Sequence, residues 1–172
     1  NARQLVNLCE ARHENLCATI ANEIAQRPEI KVVLLAGPSS SGKTSTSLRI
    51  SLQCKIHGLN PIPLELDNYF VERDETPVLP NGEKDYECLE ALDVEQFNKD
   101  MLALLNGECV EMPVFNFITG QREYRGDFLK LEEDDVLVIE GIHGLNEKMS
   151  YALPAESKFK IYSKKEKNLT NI

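Results

Sequence analysis

The residues Gly37-Pro38-Ser39-Ser40-Ser41-Gly42-Lys43-Thr44 have the spacing G-x-x-x-x-G-K-[ST], and Ser45 follows them. That pattern suits phosphate. Two glycines with small residues between them let successive backbone N–H groups close around phosphate oxygens. A helix starting at the loop's end brings the positive end of its dipole to the same place. Lys43 then reaches the β- and γ-phosphates of a nucleoside triphosphate, and the Thr44 hydroxyl is a ligand for Mg²⁺. From average residue usage, a chance match in a chain this long is on the order of 1 in 200. The expectation is a site for ATP and Mg²⁺ over residues 37 to 45.

Two carboxylates are placed to work with such a loop. Asp67 follows the aliphatic run at residues 62 to 66, and Glu140 follows the run at 136 to 139. Phosphoryl transfer to a hydroxyl needs one carboxylate to accept or orient the proton and another to hold Mg²⁺ directly or through its water. Asp67 and Glu140 can divide these tasks; the alternatives are a turn cap at Asp67 and a solvated strand end at Glu140. His57 and His143 stand alone in the sequence and read as structural residues without a partner in view.

The elements that must position these groups follow from periodicity. Apolar residues Leu5, Leu8, Cys9, Leu16, Ile20 and Ile24 fall near helical spacing over residues 4 to 26, and Pro28 stops the pattern. Residues 30 to 36 are nearly all aliphatic, as in a strand buried on both faces, and residues 44 to 57 read as a helix up to Gly58. A short strand at 62 to 66 precedes a polar loop, 68 to 92, too long to be only a connector. Asp93-Val94-Glu95-Gln96 has capping-box spacing for a helix to Leu105, and Asn106-Gly107 suits its C-terminal cap. Residues 109 to 130 read as a hairpin around Thr119-Gly120, with further strands at 136 to 139 and 158 to 162. Strands alternating with helices predict an α/β fold, a mostly parallel, doubly wound sheet flanked by helices, whose ligands sit beyond the strand C-termini.

A length of 172 residues suits one domain, divided here into a lead-in helix (1–28), a main domain (29–162) and a tail (163–172). The net charge of −9 argues against nucleic acid, and acidic runs such as Glu132-Glu133-Asp134-Asp135 read as solvated surface. Five scattered cysteines without a CxxC pair fit a reducing compartment. Apolar runs such as 32 to 36 fall far short of the ~20 residues that cross a bilayer, and no signal peptide opens the sequence, so a cytoplasmic, membrane-free setting is expected. Self-association as a homo-oligomer stays open.

Read in order, GPSSSGKTS, LELDNYF (64 to 70), MPVFNF (112 to 117) and VLVIEGIHGL (136 to 145) resemble the uridine kinase and phosphoribulokinase family, over about residues 30 to 162. The resemblance implies a P-loop kinase fold, ATP as phosphate donor, Asp67 activating the acceptor hydroxyl and Glu140 serving the metal with Thr44. It implies a nucleoside pocket in which Phe70, Phe115 and Phe117 pack on the base and Asp85 binds the sugar; a sugar-phosphate acceptor, with Lys84, Arg122 and Arg125 as candidate cations, is the alternative. A regulatory module that binds ATP without efficient transfer is a further alternative. Resembling pyrimidine kinases carry Phe-Asp-His-Pro where this chain has Lys84-Asp85-Tyr86-Glu87, tyrosine at the place of Phe115, and a base-contacting histidine near Gly120. With those polar groups replaced, shallow discrimination among bases is expected. Family members also continue beyond residue 162 into an arginine-bearing lid, whereas the last arginine here is Arg125, so either the sequence omits residues of that lid or the chain lacks it.

Overall fold

The computed structural model describes residues 1–37 and 42–163. Pro38, Ser39, Ser40 and Ser41 of the expected phosphate loop lie outside the described residues, as does the expected tail from residue 164 onward. In chain order the elements are α1 (Ala2–Gln26), β1 (Val32–Ala36), α2 (Lys43–Ile56), β2 (Asn60–Glu65), α3 (Val94–Leu105), β3 (Val110–Asn116), β4 (Gln121–Leu129), β5 (Asp135–Glu140) and β6 (Lys158–Tyr162). No helix among them is long and apolar enough to cross a membrane.

Four strands make an all-parallel sheet in the order β2-β5-β1-β6, and β3 with β4 forms a separate antiparallel hairpin. Burial on both faces explains the unbroken aliphatic character of β1, every residue of which is buried. Val33, Val136 and Val138 face Cys17, Ala21 and Ile24 of α1 and Ile50 and Cys54 of α2. Val32, Leu34, Leu137 and Ile139 face the other way, into a larger core with Leu66, Tyr69, Phe97, Met101 and Leu104. Each such side chain contributes about 1.5–3 kcal/mol by leaving water. Pro61 and Pro63 fit in β2 because it is an edge strand, where a missing N–H is tolerated.

Several expectations change in detail. The first strand starts at Val32, because Ile30 N–H turns back to the Arg27 carbonyl. The second ends at Glu65, and Leu66–Tyr69 coil into a 3₁₀ turn. Only the C-terminal half of α1 is packed: Leu5, Leu8 and Leu16 are exposed, at 44%, 47% and 56%, while Cys17, Ala21 and Ile24 are buried. The capping box at α3 is half made. Asp93 accepts from Gln96 N–H, but the Gln96 amide donates to Asp100 instead of returning to Asp93, whose own N–H is taken by the Tyr69 carbonyl. Asp135 is not solvated surface: it is buried and accepts from Asn60 Nδ2 and from Glu132 N–H.

One close approach fixes the site. A Cβ on Gly141, just past β5, would lie 2.5 Å from Leu66 Cδ1 and 2.7 Å from Leu66 Cβ. Leu66 thus packs flat against bare backbone, which seats the turn after β2 against the end of β5. Gly141→Ala should lower stability by about 1–3 kcal/mol through overpacking, read as a lower urea midpoint with an unchanged slope. An unchanged midpoint would mean that Leu66 moves aside freely.

Candidate active site

The parallel register aligns strand ends: Glu140 pairs with Leu35 of β1 on one side and Glu65 of β2 on the other. Gly37 follows β1, and α2 starts at Lys43 with Gly42 as its N-cap. Lys43, Thr44, Asp67 and Glu140, far apart in the sequence, therefore meet at one edge of the sheet. Thr44 Oγ1 donates to Glu140 Oε1 at 2.9 Å, and Lys43 Nζ donates to the Gly37 carbonyl at 2.6 Å across the span of the loop. Ser45 is exposed in the first turn of α2.

Asp67 sits in the Leu66–Tyr69 turn, its side chain open to the cleft but surrounded closely enough for its carboxyl to respond. Burial pushes its pKa above the ordinary value, Lys43 pulls it back in part, and Glu140 adds to the rise. The turn itself is anchored from below. Tyr69 OH donates to Asp100 Oδ2 at 2.9 Å, Gln96 Nε2 donates to the other Asp100 oxygen, and the Tyr69 ring meets Phe97 edge-on. Burial raises the Asp100 carboxyl's pKa while the Tyr69 and Gln96 hydrogen bonds oppose the rise.

The donor set fits Mg²⁺. The Thr44 hydroxyl and Glu140 carboxylate are hard oxygen donors in contact, and Mg²⁺ characteristically takes few protein ligands and completes its shell with water and phosphate oxygens. Among the described residues no cluster of three or more His, Cys, Asp or Glu forms a cage of the kind zinc takes.

The long loop 68–92 is ordered, with short 3₁₀ turns at Arg73–Glu75 and Leu89–Ala91 and a bridge between Val78 and Lys84. Leu79, Lys84, Asp85, Tyr86, Glu87 and Cys88 line a cavity of ≈ 630 Å³. Phe70, Phe115 and Phe117 do come together, with Phe70 edge-on to both at 5.4 and 6.1 Å and to Tyr86 at 5.2 Å. Phe115 and Phe70 are buried, at 4% and 6%, whereas Phe117 is 58% exposed. Asp85 lies in the cavity wall with Oδ1 accepting from the N–H groups of Glu87 and Cys88. Of the cations considered for a second phosphate, Arg122 is paired with Asp93 and Arg125 with Glu123, while Lys84 has no ion pair among the described residues.

Three parts of the site were not legible from spacing. Arg73 donates to the Phe117 carbonyl at 2.6 Å and reaches Tyr86 OH at 3.4 Å. Asn68 accepts from Phe115 N–H, tying the Asp67 turn to the hairpin. His143 has a partner after all: its Nε2 lies 2.7 Å from the Glu87 carbonyl, which joins the segment after β5 to the cavity wall. A side chain at Gly120 is also blocked, since φ is +70° and a Cβ would lie 2.7 Å from Arg73 Nε.

The sequence model of the Phosphoribulokinase / Uridine kinase family matches residues 32–172. A uridine kinase of Ligilactobacillus salivarius is 29% identical over 125 residues, covering 72% of this chain and 57% of that protein. This chain spans about half the length of the curated relatives it matches. Among solved structures, a possible uridine kinase from Bacillus stearothermophilus superposes with a TM-score of 0.59 at 21% identity, over 77% of this chain and 70% of its own. A D-glycerate 3-kinase from Cryptococcus neoformans gives 0.51 at 17%, over 76% and 52%. The shared fold is that of P-loop kinases.

A carboxyl raised in the folded state stabilises the fold when protonated; that contribution is complete below the unfolded value of about 3.9 and is lost as pH rises through the folded value. Asp67→Asn should therefore raise Tm at pH 7, and the gap should close as pH falls to about 4. A folded variant with unchanged or lower Tm at pH 7 would show that the Asp67 charge is not held at a cost.

Proposed function

The chain belongs to the phosphoribulokinase / uridine kinase family, and from that premise we propose that it transfers the γ-phosphate of ATP to a small-molecule hydroxyl, the 5′-hydroxyl of a nucleoside such as uridine or cytidine. The observation that carries this reading is the meeting of Lys43, Thr44, Asp67 and Glu140 at one sheet edge. The loop amides and Lys43 hold the triphosphate, with Gly37, Pro38, Ser39, Ser40, Ser41, Gly42 and Ser45 as the rest of the nucleotide site. Thr44 and Glu140 would hold Mg²⁺, which when bound would neutralise charge on the phosphates.

In the proposed reaction the acceptor O–H gives its proton to the Asp67 carboxylate as its oxygen forms a bond to the γ-phosphorus. The bond from that phosphorus to the β-γ bridging oxygen breaks, and ADP leaves. The raised pKa makes Asp67 a better proton acceptor than an ordinary surface aspartate. A nucleoside suits the exposed Phe117 ring, on which a base can stack, with Asp85 at the sugar. A sugar-phosphate acceptor is the second reading, favoured by Lys84, a cation in the cavity wall with no ion pair among the described residues. Residues 29–162 form the catalytic unit of this proposal, in the cytoplasm, with nucleotide and acceptor as its partners.

The test is product formation from ATP with uridine, cytidine and ribulose 5-phosphate. Lys43→Ala should abolish turnover at near-native stability, and Asp67→Asn should retain ATP binding while kcat falls by roughly 10²- to 10⁴-fold. Slow release of ADP and phosphate with no phosphorylated acceptor would instead identify a nucleotide-binding regulatory module.

A further inference from the structure

His143 lies three residues beyond Glu140, in the turn that follows β5, and the proposed reaction leaves it unused. That turn is seated against the nucleotide side of the sheet. Gly141 N–H donates to the Leu35 carbonyl at 3.1 Å, and a Cβ on Gly144 would lie 3.4 Å from the Ala36 Cβ at the end of β1. From this turn the imidazole reaches the 68–92 loop, where Nε2 lies 2.7 Å from the Glu87 carbonyl. A carbonyl oxygen can only accept, so Nε2 carries the proton in this contact whether the ring is neutral or charged.

The accepting carbonyl belongs to the peptide unit between Glu87 and Cys88. The N–H of that same unit donates to Asp85 Oδ1 at 3.2 Å, and Glu87 N–H donates to the same oxygen at 3.0 Å. His143, one peptide group and the Asp85 carboxylate thus form a chain of hydrogen bonds from the end of β5 into the cavity wall. In such a chain a donor at the carbonyl end polarises the peptide and strengthens its N–H as a donor. Asp85 is half-buried, and its Oδ2 accepts no hydrogen bond among the described residues. One oxygen is committed to the backbone, which leaves the other a defined direction in which to accept. Resting on the nucleoside reading above, we propose that His143 is a positioning residue of the acceptor site. Through the Glu87–Cys88 peptide it fixes the Asp85 carboxylate so that Oδ2 accepts from the hydroxyls of the sugar. The segment that follows the metal-binding Glu140 of the proposed reaction then also orients the acceptor.

Uridine and 2′,3′-dideoxyuridine share the base and the reacting 5′-hydroxyl and differ in the sugar hydroxyls that Asp85 would hold. kcat and KM for both are measured with saturating ATP on the wild type, His143→Ala, His143→Gln and His143→Asn. Gln and Asn both carry an NH₂ donor, but only the Gln amide is long enough to reach the place of Nε2. The wild type should favour uridine by roughly 10- to 100-fold in kcat/KM, the span of a hydrogen bond to a charged group. His143→Ala should lower that preference by at least about 5-fold, through a raised KM for uridine with kcat and the dideoxy substrate little changed. His143→Gln should restore the preference and His143→Asn should not. Equal slowing of both nucleosides by His143→Ala, or a Gln variant no better than Asn, overturns the proposal, because a mere brace for the loop does not distinguish sugars. Should His143→Ala fail to fold, the Gln and Asn variants decide between the same outcomes. A wild-type preference near one means that Asp85 does not hold the sugar, which overturns this inference while leaving the nucleoside reading intact. A wild type that phosphorylates neither uridine nor cytidine overturns the nucleoside reading itself, and this inference with it.

Discussion

The register of one parallel sheet governs this site. Because β1, β5 and β2 run side by side in one direction, their C-terminal ends form a row in which Leu35, Glu140 and Glu65 are neighbours. Everything that follows those strands emerges at the same edge. Two aliphatic cores, one on each face, lock that register, since a slip by one residue would exchange Val33, Val136 and Val138 with Val32, Leu34, Leu137 and Ile139 across the sheet. The hydrophobic pattern of three short strands thereby fixes the position of a carboxylate relative to a lysine 97 residues away in the chain.

The two halves of the site are built differently. On the nucleotide side, short strand ends and the start of α2 leave little freedom, and contact is direct, hydroxyl to carboxylate. On the proposed acceptor side the parts come from a long loop and a hairpin, held by core packing of Phe70, Leu92, Met112 and Phe115 and by polar ties such as Asn68 to Phe115, Arg122 to Asp93 and His143 to Glu87. Asp67 stands between the halves, on a turn held beneath by Tyr69 and Asp100 and beside by Leu66 on Gly141.

The strands, the α2 and α3 helices and the hairpin were legible because each announces itself locally, by aliphatic runs, by the Asp93 cap or by the turn at Thr119-Gly120. So was the convergence of Lys43, Thr44, Asp67 and Glu140, because parallel strands place their C-termini together. The packing of α1 was not legible. Apolar spacing continues to Leu5, but α2 covers only the later part of the helix. Nor does spacing reveal Arg73 or the Tyr69–Asp100 anchor, because both depend on where a loop crosses elements distant in sequence. Asp135 misled for a similar reason: an acidic run reads as solvated until a neighbour such as Asn60 arrives across the sheet.

The central claim is that Thr44 and Glu140 serve one cation together with the nucleotide. A double-mutant cycle on ATP affinity tests it most directly, with Thr44→Val, Glu140→Gln and the double variant titrated calorimetrically with and without Mg²⁺. If both residues act through one ion, the second substitution adds little to the first in Mg²⁺, giving a coupling of about 1–2 kcal/mol that disappears when the ion is withheld. Fully additive losses in Mg²⁺, or the same coupling without it, would contradict a shared metal site.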